Sequence, residues 1–84
     1  MATATLLRAG LEGFRGSAAL YRCEPPHHGN EFVIASTSSF CGLETYLFPA
    51  TEDGEIKDWL EMEGSMKGTS SHQEVWANAG YEMA

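Results

Sequence analysis

Hydrophobic and polar residues alternate in several short stretches of the chain, which is the pattern of half-buried β-strands. The first stretch covers residues 18–24 and places Ala19, Tyr21 and Cys23 on one face. It is followed by two prolines, which cannot donate to a strand ladder. We therefore predict a first strand over 18–24 and a loop over 25–30.

Two further strands are predicted in the middle of the chain. Residues 31–36 are continuously apolar over Phe-Val-Ile-Ala, which indicates burial on both faces and hence a central strand. Residues 44–48 give a third strand that ends at Pro49. The Asp-Gly pair at 53–54 is a strong hairpin signal, so residues 55–60 are predicted to return as a fourth strand or an extended edge.

The clearest element is a short helix near the end of the chain. Residues 71–74 read Ser-His-Gln-Glu, a capping box in which hydroxyl and carboxylate satisfy the first backbone N–H groups. Gly80 is a natural left-handed helix end, and Tyr81 beyond it would contact Trp76. These signals predict a helix over 72–79, followed by a short strand.

The N-terminal segment is the hardest to interpret. Leu7, Leu11 and Phe14 follow a helical spacing, but three nearby glycines weaken a helix by about 1 kcal/mol each. We predict a short helix or an irregular arm within residues 1–16. Together the elements predict an α+β fold, a small antiparallel sheet of three to four strands with a C-terminal helix packed on one face.

Length and composition agree with one packed unit. The chain has 84 residues, of which 43% are hydrophobic and 20% charged, a composition typical of a globular domain. We therefore treat residues 1–84 as a single domain. With no disulfide scaffold expected, such a small domain depends on its own core or on an interface between copies, which leaves homo-oligomerisation open.

The net charge of −7 is concentrated in the second half of the chain. Residues 1–42 sum to zero, whereas residues 43–84 carry two lysines and nine acidic residues. Six of those acids lie between positions 52 and 63, interleaved with apolar residues. The excess of negative charge disfavours duplex nucleic acid and anionic membranes as direct partners.

The N-terminal sequence has no basic residue before its apolar part, which argues against a signal peptide. No apolar run approaches the roughly 18 to 20 residues of a membrane span. We therefore expect a cytoplasmic protein whose two cysteines, Cys23 and Cys41, are reduced thiols. A single disulfide between neighbouring strands remains the alternative.

Candidate chemistry is sparse. The possible transition-metal ligands do not have the paired spacing of zinc sites; they are Cys23, Cys41, His27, His28 and His72. Ser65 lies in a Gly-rich loop, where hydroxyls usually bond to the local backbone. A thiol–imidazole pair, or paired carboxylates within 52–63, would be the enzymatic alternatives. We expect no catalytic residue, no metal and no cofactor, and hence no enzyme.

A resemblance to known sequences rests on four stretches of the chain. In order they are LYRCEPP (20–26), GNEFVIAS (29–36), ETYLFPATEDGEIKDWLEMEGSMKG (44–68) and AGYE (79–82). In them the chain resembles small uncharacterised proteins encoded by actinobacterial phages and prophages. The resemblance implies a phage-derived accessory protein that acts in the host bacterial cytoplasm. It implies no active residue.

The leading functional prediction is a non-enzymatic protein that binds a host or phage protein with a basic surface. A nucleic-acid mimic that inhibits a host defence nuclease and a minor structural protein of the virion are the alternatives. Trp59 and Trp76 could each be a contact residue or part of the core, and the core is the commoner fate of tryptophan in so small a chain. A solvated face is likewise the commoner role of a charged run. The candidate partner-binding residues are Glu52, Asp53, Glu55, Asp58, Trp59 and Glu61.

Overall fold

The computed structural model describes residues 2–11, 18–38, 44–59, 62–68 and 71–83. These residues form a six-stranded sheet and one helix of seven residues. In chain order the elements are β1 (Thr3–Ala9), β2 (Ala18–His27), β3 (Asn30–Ser38), β4 (Glu44–Ala50), β5 (Met66–Lys67), α1 (His72–Asn78) and β6 (Glu82–Met83).

The six strands lie in the order β5-β4-β3-β2-β1-β6, and the sheet curls into a half-barrel. Neighbouring strands are antiparallel except β1 and β6, which are parallel. The predicted α+β fold with three to four antiparallel strands is therefore wrong. The fold is mostly sheet, because the seven-residue strand β1 and two strands of two residues each, β5 and β6, are added to β2, β3 and β4. A helix of seven residues, about 10 Å long, is too short to cover a face of such a sheet.

Strand β3 lies between β2 and β4, and this central position was predicted correctly. Its neighbouring residues Val33 and Ile34 are both fully buried but belong to different apolar clusters. Because successive side chains of a strand point to opposite faces, the continuous apolar run fills cores on both sides of the sheet. The strand therefore needs no polar alternation.

The larger core lies on the face that α1 packs against, where the helix contributes Val75 and Trp76. Its other buried members come from the strands and from the segment after the helix; they are Ala4, Ala19, Tyr21, Cys23, Val33, Ala35, Leu47 and Tyr81. The smaller core lies on the opposite face and contains Ala18, Leu20, Ile34 and Ala50, with Leu11, Phe32 and Ile56 packed against it.

The loop predicted over 25–30 is much shorter in the structure. Strand β2 continues through both prolines to His27, and β3 begins at Asn30. The prolines are tolerated because the β2–β3 register is irregular between Arg22 and His27, where fewer ladder donors are needed. The turn consists of His28 and Gly29, with φ of 47° and 82°, the positive values that two-residue hairpins require.

The N-terminal segment was also predicted wrongly. Residues 3–9 form β1, which lies between β2 and β6 rather than in a helix or a separate arm. The β1–β2 register shifts between Leu6 and Arg8, so Leu7 is an inserted bulge residue. The bulge breaks the two-residue period, which is why the segment did not resemble a strand. Residues 12–16 of the predicted arm lie outside the described residues.

The predicted fourth strand over 55–60 is reduced to a single bridge between Ala50 and Ile56. Strand β4 itself continues past Pro49 to Ala50. The outer partner of β4 is instead β5, which lies in the segment predicted to be a loop. Two residues are too few to produce a recognisable sequence pattern.

Helix α1 has the ends that its sequence predicted. The Glu74 backbone N–H donates to the Ser71 hydroxyl at 3.2 Å. At the other end Gly80 has φ of 91°, and Tyr81 N–H donates to the Trp76 carbonyl at 2.8 Å, which is the closing bond of a Schellman motif. The rings of Tyr81 and Trp76 are 5.4 Å apart. The predicted short strand after the helix is also confirmed as β6.

Residues 62–65 lie between β4 and the end of α1 and contact both. Met62 N–H donates to the Leu47 carbonyl at 2.7 Å, and Leu47 N–H donates to the Ser65 hydroxyl at 2.9 Å. Gly64 lies so close to the helix end that an added Cβ would be 2.6 Å from the Ala79 Cβ.

Within the described ranges, no helix has the length and apolar character needed to cross a membrane.

Candidate functional site

The predicted partner-binding residues lie mainly on one loop after β4, residues 51–59, which we call the acidic loop. Thr51 closes the turn at its start. Thr51 N–H donates to the Glu55 carbonyl at 2.8 Å, and its hydroxyl accepts from Glu55 N–H at 3.1 Å. Gly54 N–H donates to the Thr51 carbonyl at 3.0 Å. The Asp53-Gly54 pair therefore makes a tight turn, as its sequence predicted, although within the described residues 55–59 only the single bridge at Ile56 follows.

The acidic loop is held against the sheet face opposite α1. A Cβ added at Gly54 would be 3.8 Å from side-chain atoms of Leu20 and Arg8. Ile56 packs against the smaller core, and the Arg8 guanidinium donates to the Asp53 carbonyl at 3.4 Å. These contacts fix the backbone of the loop, so its carboxylates have a defined position on the molecule.

The structure places four of the five predicted acidic residues at the surface. Glu52, Asp53, Glu55 and Asp58 are all exposed on the acidic loop. Among the described residues, no ion pair engages the first three of these carboxylates. Glu61, the remaining predicted acidic residue, lies outside the described residues.

Trp59 ends the acidic loop and is 65% exposed. Its ring meets the ring of Phe48 edge-on at a centroid distance of 5.4 Å. Phe48 in turn lies 6.1 Å from the ring of Tyr46 on the same strand. The expectation that both tryptophans belong to the core is therefore wrong for Trp59 and correct for Trp76, which is fully buried.

The acidic loop carries four acidic residues and one lysine, a net charge of −3. The lysine, Lys57, donates through its ammonium to the Asn30 side-chain oxygen at 3.4 Å. The nearest basic side chain on β2, Arg22, pairs with Glu31 at 2.8 Å and with Glu24 at 3.6 Å. The cationic side chains near the loop therefore already have polar partners of their own.

A second group of residues, which sequence reasoning did not single out as a site, lines a cleft of about 510 Å³ between the β2–β3 turn and the end of α1. His27 is 7% exposed, and its Nε2 lies 2.6 Å from the Glu63 carbonyl oxygen. His28 Nε2 lies 3.3 Å from the Glu63 carboxylate. The two prolines led us to predict a loop over residues 25–30, which did not indicate that His27 would be buried in a cleft. In the structure, bonds to the 62–65 segment occupy these imidazole nitrogens.

The potential metal ligands within the described residues do not come together in a group of three. His72 bonds to Tyr21 and Thr37 on the helix-side face, and Cys41 lies outside the described residues. No group of three His, Cys, Asp or Glu side chains within the described ranges could hold a metal ion. Cys23 is a free thiol within the core, and burial raises its pKa to about 12. A thiol with so high a pKa is a poor nucleophile at neutral pH.

The hydroxyl of Ser65, the serine of the Gly-rich loop considered in the sequence analysis, has a structural role. It donates to the Met62 carbonyl at 2.8 Å and accepts from Leu47 N–H at 2.9 Å. The bond from Leu47 holds the 62–65 segment against β4, and the bond to Met62 closes a turn within the segment, so the hydroxyl proton is already committed to a backbone partner. This agrees with the expectation of local backbone bonding.

Comparison with known proteins does not assign this arrangement to a family. No protein-family model, no curated protein and no solved structure matches the chain.

Proposed function

We propose that the chain is a non-enzymatic binding protein whose acidic loop contacts a basic surface on another protein. The observation that carries this proposal is the exposure of Trp59 at the end of a loop that the sheet holds in place. A large aromatic side chain left in water loses the stabilisation that burial would provide. Its position beside exposed carboxylates supports a role in contact with a partner.

The two kinds of side chain contribute differently to binding. Tryptophan is among the residues most often found at energetic hot spots, where truncation costs about 2 kcal/mol or more. Exposed carboxylates accelerate encounter with a positive surface and reject negative ones. A lysine or arginine of the partner could also pack over the Trp59 ring. The acidic loop therefore suits a partner that presents basic side chains around a small apolar depression.

The acidic loop is suited to rapid recognition because its backbone is already ordered. The Thr51 bonds and the bridge between Ala50 and Ile56 fix the turn. Binding then pays little to order the loop, and more of the contact energy becomes affinity. The resemblance to small phage proteins supports a host or phage protein in a bacterial cytoplasm as the partner.

A comparison of three immobilised baits in an actinobacterial extract tests the proposal. The first is the natural chain. The second has its loop acids neutralised by the substitutions E52Q, D53N, E55Q and D58N. The matched control loses the same number of charges at exposed positions outside the acidic loop, through E24Q, E63Q, E74Q and E82Q.

We expect a protein that the natural chain and the control retain at low salt and the loop variant does not. Equal retention by all three baits, or loss from the control as well, would contradict the proposal. Competition by duplex DNA would indicate that the partner is a nuclease and the chain a nucleic-acid mimic, and co-purification with phage particles would indicate the virion role.

A further inference from the structure

The cleft between the β2–β3 turn and the end of α1 has the size of a small-ligand site. Its volume of about 510 Å³ lies within the roughly 300–1,000 Å³ that is usual for ligand pockets. Its lining comes from Ala2, the end of β2 with its turn, the 62–65 segment and the end of α1, and none of these belongs to the acidic loop. The cleft is therefore separate from the surface of the proposed function.

The walls of the cleft are joined by side-chain hydrogen bonds. His27 Nε2–H donates to the Glu63 carbonyl at 2.6 Å, and the Asn78 side-chain nitrogen donates to the Gly64 carbonyl at 3.1 Å. A carbonyl oxygen only accepts, so each bond takes a donor away from the cleft. Among the described residues, no donor is bonded to the Asn78 amide oxygen, which therefore remains an acceptor.

The end of α1 has also committed its donors. The backbone N–H groups of Ala79, Gly80 and Tyr81 donate to carbonyls of the helix at 2.8–3.1 Å. The Tyr81 hydroxyl donates to the Pro25 carbonyl at 2.6 Å. An anion in the cleft would have to compete with these carbonyls for its hydrogen bonds.

Glu63 gives the cleft its charge. The Glu63 side chain is 84% exposed, and its Oε2 lies 3.3 Å from His28 Nε2. Within the described ranges, the other carboxylate oxygen, Oε1, has no bonded partner, and no lysine or arginine lines the cleft. With neutral imidazoles, the lining carries one negative charge and presents acceptor oxygens. Such a lining favours a cation that brings its own N–H donors.

We propose that the cleft binds a primary alkylammonium ion. An ammonium group has three donors and no acceptor, which suits the free oxygens of Glu63 and Asn78. A guanidinium suits the cleft less well, because its planar fork binds a carboxylate through both oxygens and His28 already contacts one of them. The site does not depend on the proposed function. The carbon chain of the ligand lies along the apolar part of the lining, which consists of Ala2, Pro26 and Ala79.

An NMR titration of the ¹⁵N-labelled natural chain tests the site. Butylammonium should cause saturable shifts at residues 63–64 and 78–81, with a Kd on the order of 1 mM. Butyrate has a similar length and the opposite charge, so it should cause no saturable shift there. Equal responses to the two ions, including no response to either, would overturn the proposal. Butylammonium shifts confined to the acidic loop would overturn it as well.

Two larger amines distinguish the natural source of the ammonium group. 1,4-Diaminobutane represents the free polyamines, and Nα-acetyl-lysine methylamide represents a lysine side chain of a protein. Tighter binding of either compound supports an alkylammonium site and identifies its source. The proposal is overturned if neither compound shifts the residues of the cleft.

A pair of charge-removing substitutions tests the role of Glu63. Glu63→Gln keeps the length of an exposed side chain, so it should leave the fold unchanged and weaken butylammonium binding at least tenfold. Glu74→Gln removes the same charge from the exposed first turn of α1 and should leave the affinity unchanged. Equal affinities of the two variants would show attraction to the net charge alone and would overturn the site.

Discussion

The hydroxyl of Tyr21 lies 3.0 Å from Nδ1 of His72, so that the centre of the sheet is bonded to the first residue of α1. His72 Nε2 lies 3.2 Å from the Thr37 hydroxyl, which is 3.0 Å from that of Thr45. With a neutral imidazole protonated at Nε2, Tyr21 donates to Nδ1 and Nε2–H donates to Thr37. This chain of bonds joins β2, β3 and β4 to the helix.

Removing the Tyr21 hydroxyl should weaken that connection. Tyr21→Phe keeps the buried ring and leaves Nδ1 of His72 without its donor, so we expect the free energy of unfolding to fall by about 1 kcal/mol. Urea denaturation measures this loss. In a His72→Ala background the same substitution should cost much less, and equal costs in both backgrounds would show that the two side chains are not coupled.

The buried Cys23 thiol should make the fold less stable at high pH. Burial raises its pKa from an ordinary value of 9.0 to about 12. Below pH 9 the thiol is protonated in both states. Between pH 9 and 12 only the unfolded chain loses this proton, so stability falls as the pH rises. Burial also raises the pKa of Tyr21 and Tyr81, which adds loss in the same direction at higher pH.

Comparison with Cys23→Ala isolates the contribution of the thiol, since both chains keep the tyrosines. Thermal unfolding from pH 8 to 11 should show a smaller decrease in Tm for the variant. In a Cys41→Ser background, alkylation of Cys23 at pH 8 should be at least tenfold slower in the folded chain than in urea. Parallel Tm curves together with rapid alkylation of the folded chain would contradict the assigned burial.

Two glycines with positive φ provide a matched pair. Gly64 has φ of 106° and Gly68 has φ of 85°. An added Cβ at Gly64 would be 2.6 Å from the Ala79 Cβ, whereas at Gly68 it would meet nothing within 4 Å. Gly68→Ala should cost about 1 kcal/mol from backbone strain. Gly64→Ala should cost a further ~1–3 kcal/mol from overpacking, and denaturant unfolding that finds equal costs would disprove the close approach.

The neighbouring histidines should respond differently to the same substitution. His27 is buried against the rings of Tyr81 and Trp76, so His27→Asn should cost about 1–3 kcal/mol. His28 is exposed at φ of 47°, a conformation that asparagine tolerates well, so His28→Asn should change stability by less than about 0.5 kcal/mol. Urea denaturation distinguishes them, and the reverse order would contradict the placement of the turn.

The elements that the sequence predicted well are those specified by local chemistry. The Ser71 cap and the Gly80 stop each act within a few residues, so they defined α1 without knowledge of the rest of the fold. The apolar run of β3 was equally clear, since a strand buried on both faces needs no alternation.

The elements that were missed depend on contacts distant in sequence. The bulge at Leu7 hid β1, and the register break before His27 allowed prolines within β2. The charge run predicted where the acidic loop would be. Tertiary packing, which no local pattern contains, places Gly54 of the acidic loop against Leu20. The same packing leaves Trp59 exposed and buries Trp76.

Quenching of tryptophan fluorescence during titration with the purified partner is the most direct test of the acidic loop as the binding surface. Trp76 is fully buried and Trp59 is 65% exposed, so acrylamide quenches mainly Trp59 in the chain alone. We predict that saturation with partner shifts the emission to the blue and reduces quenching by acrylamide, and that Trp59→Phe abolishes both changes. Full binding with unchanged quenching of Trp59 would contradict the account.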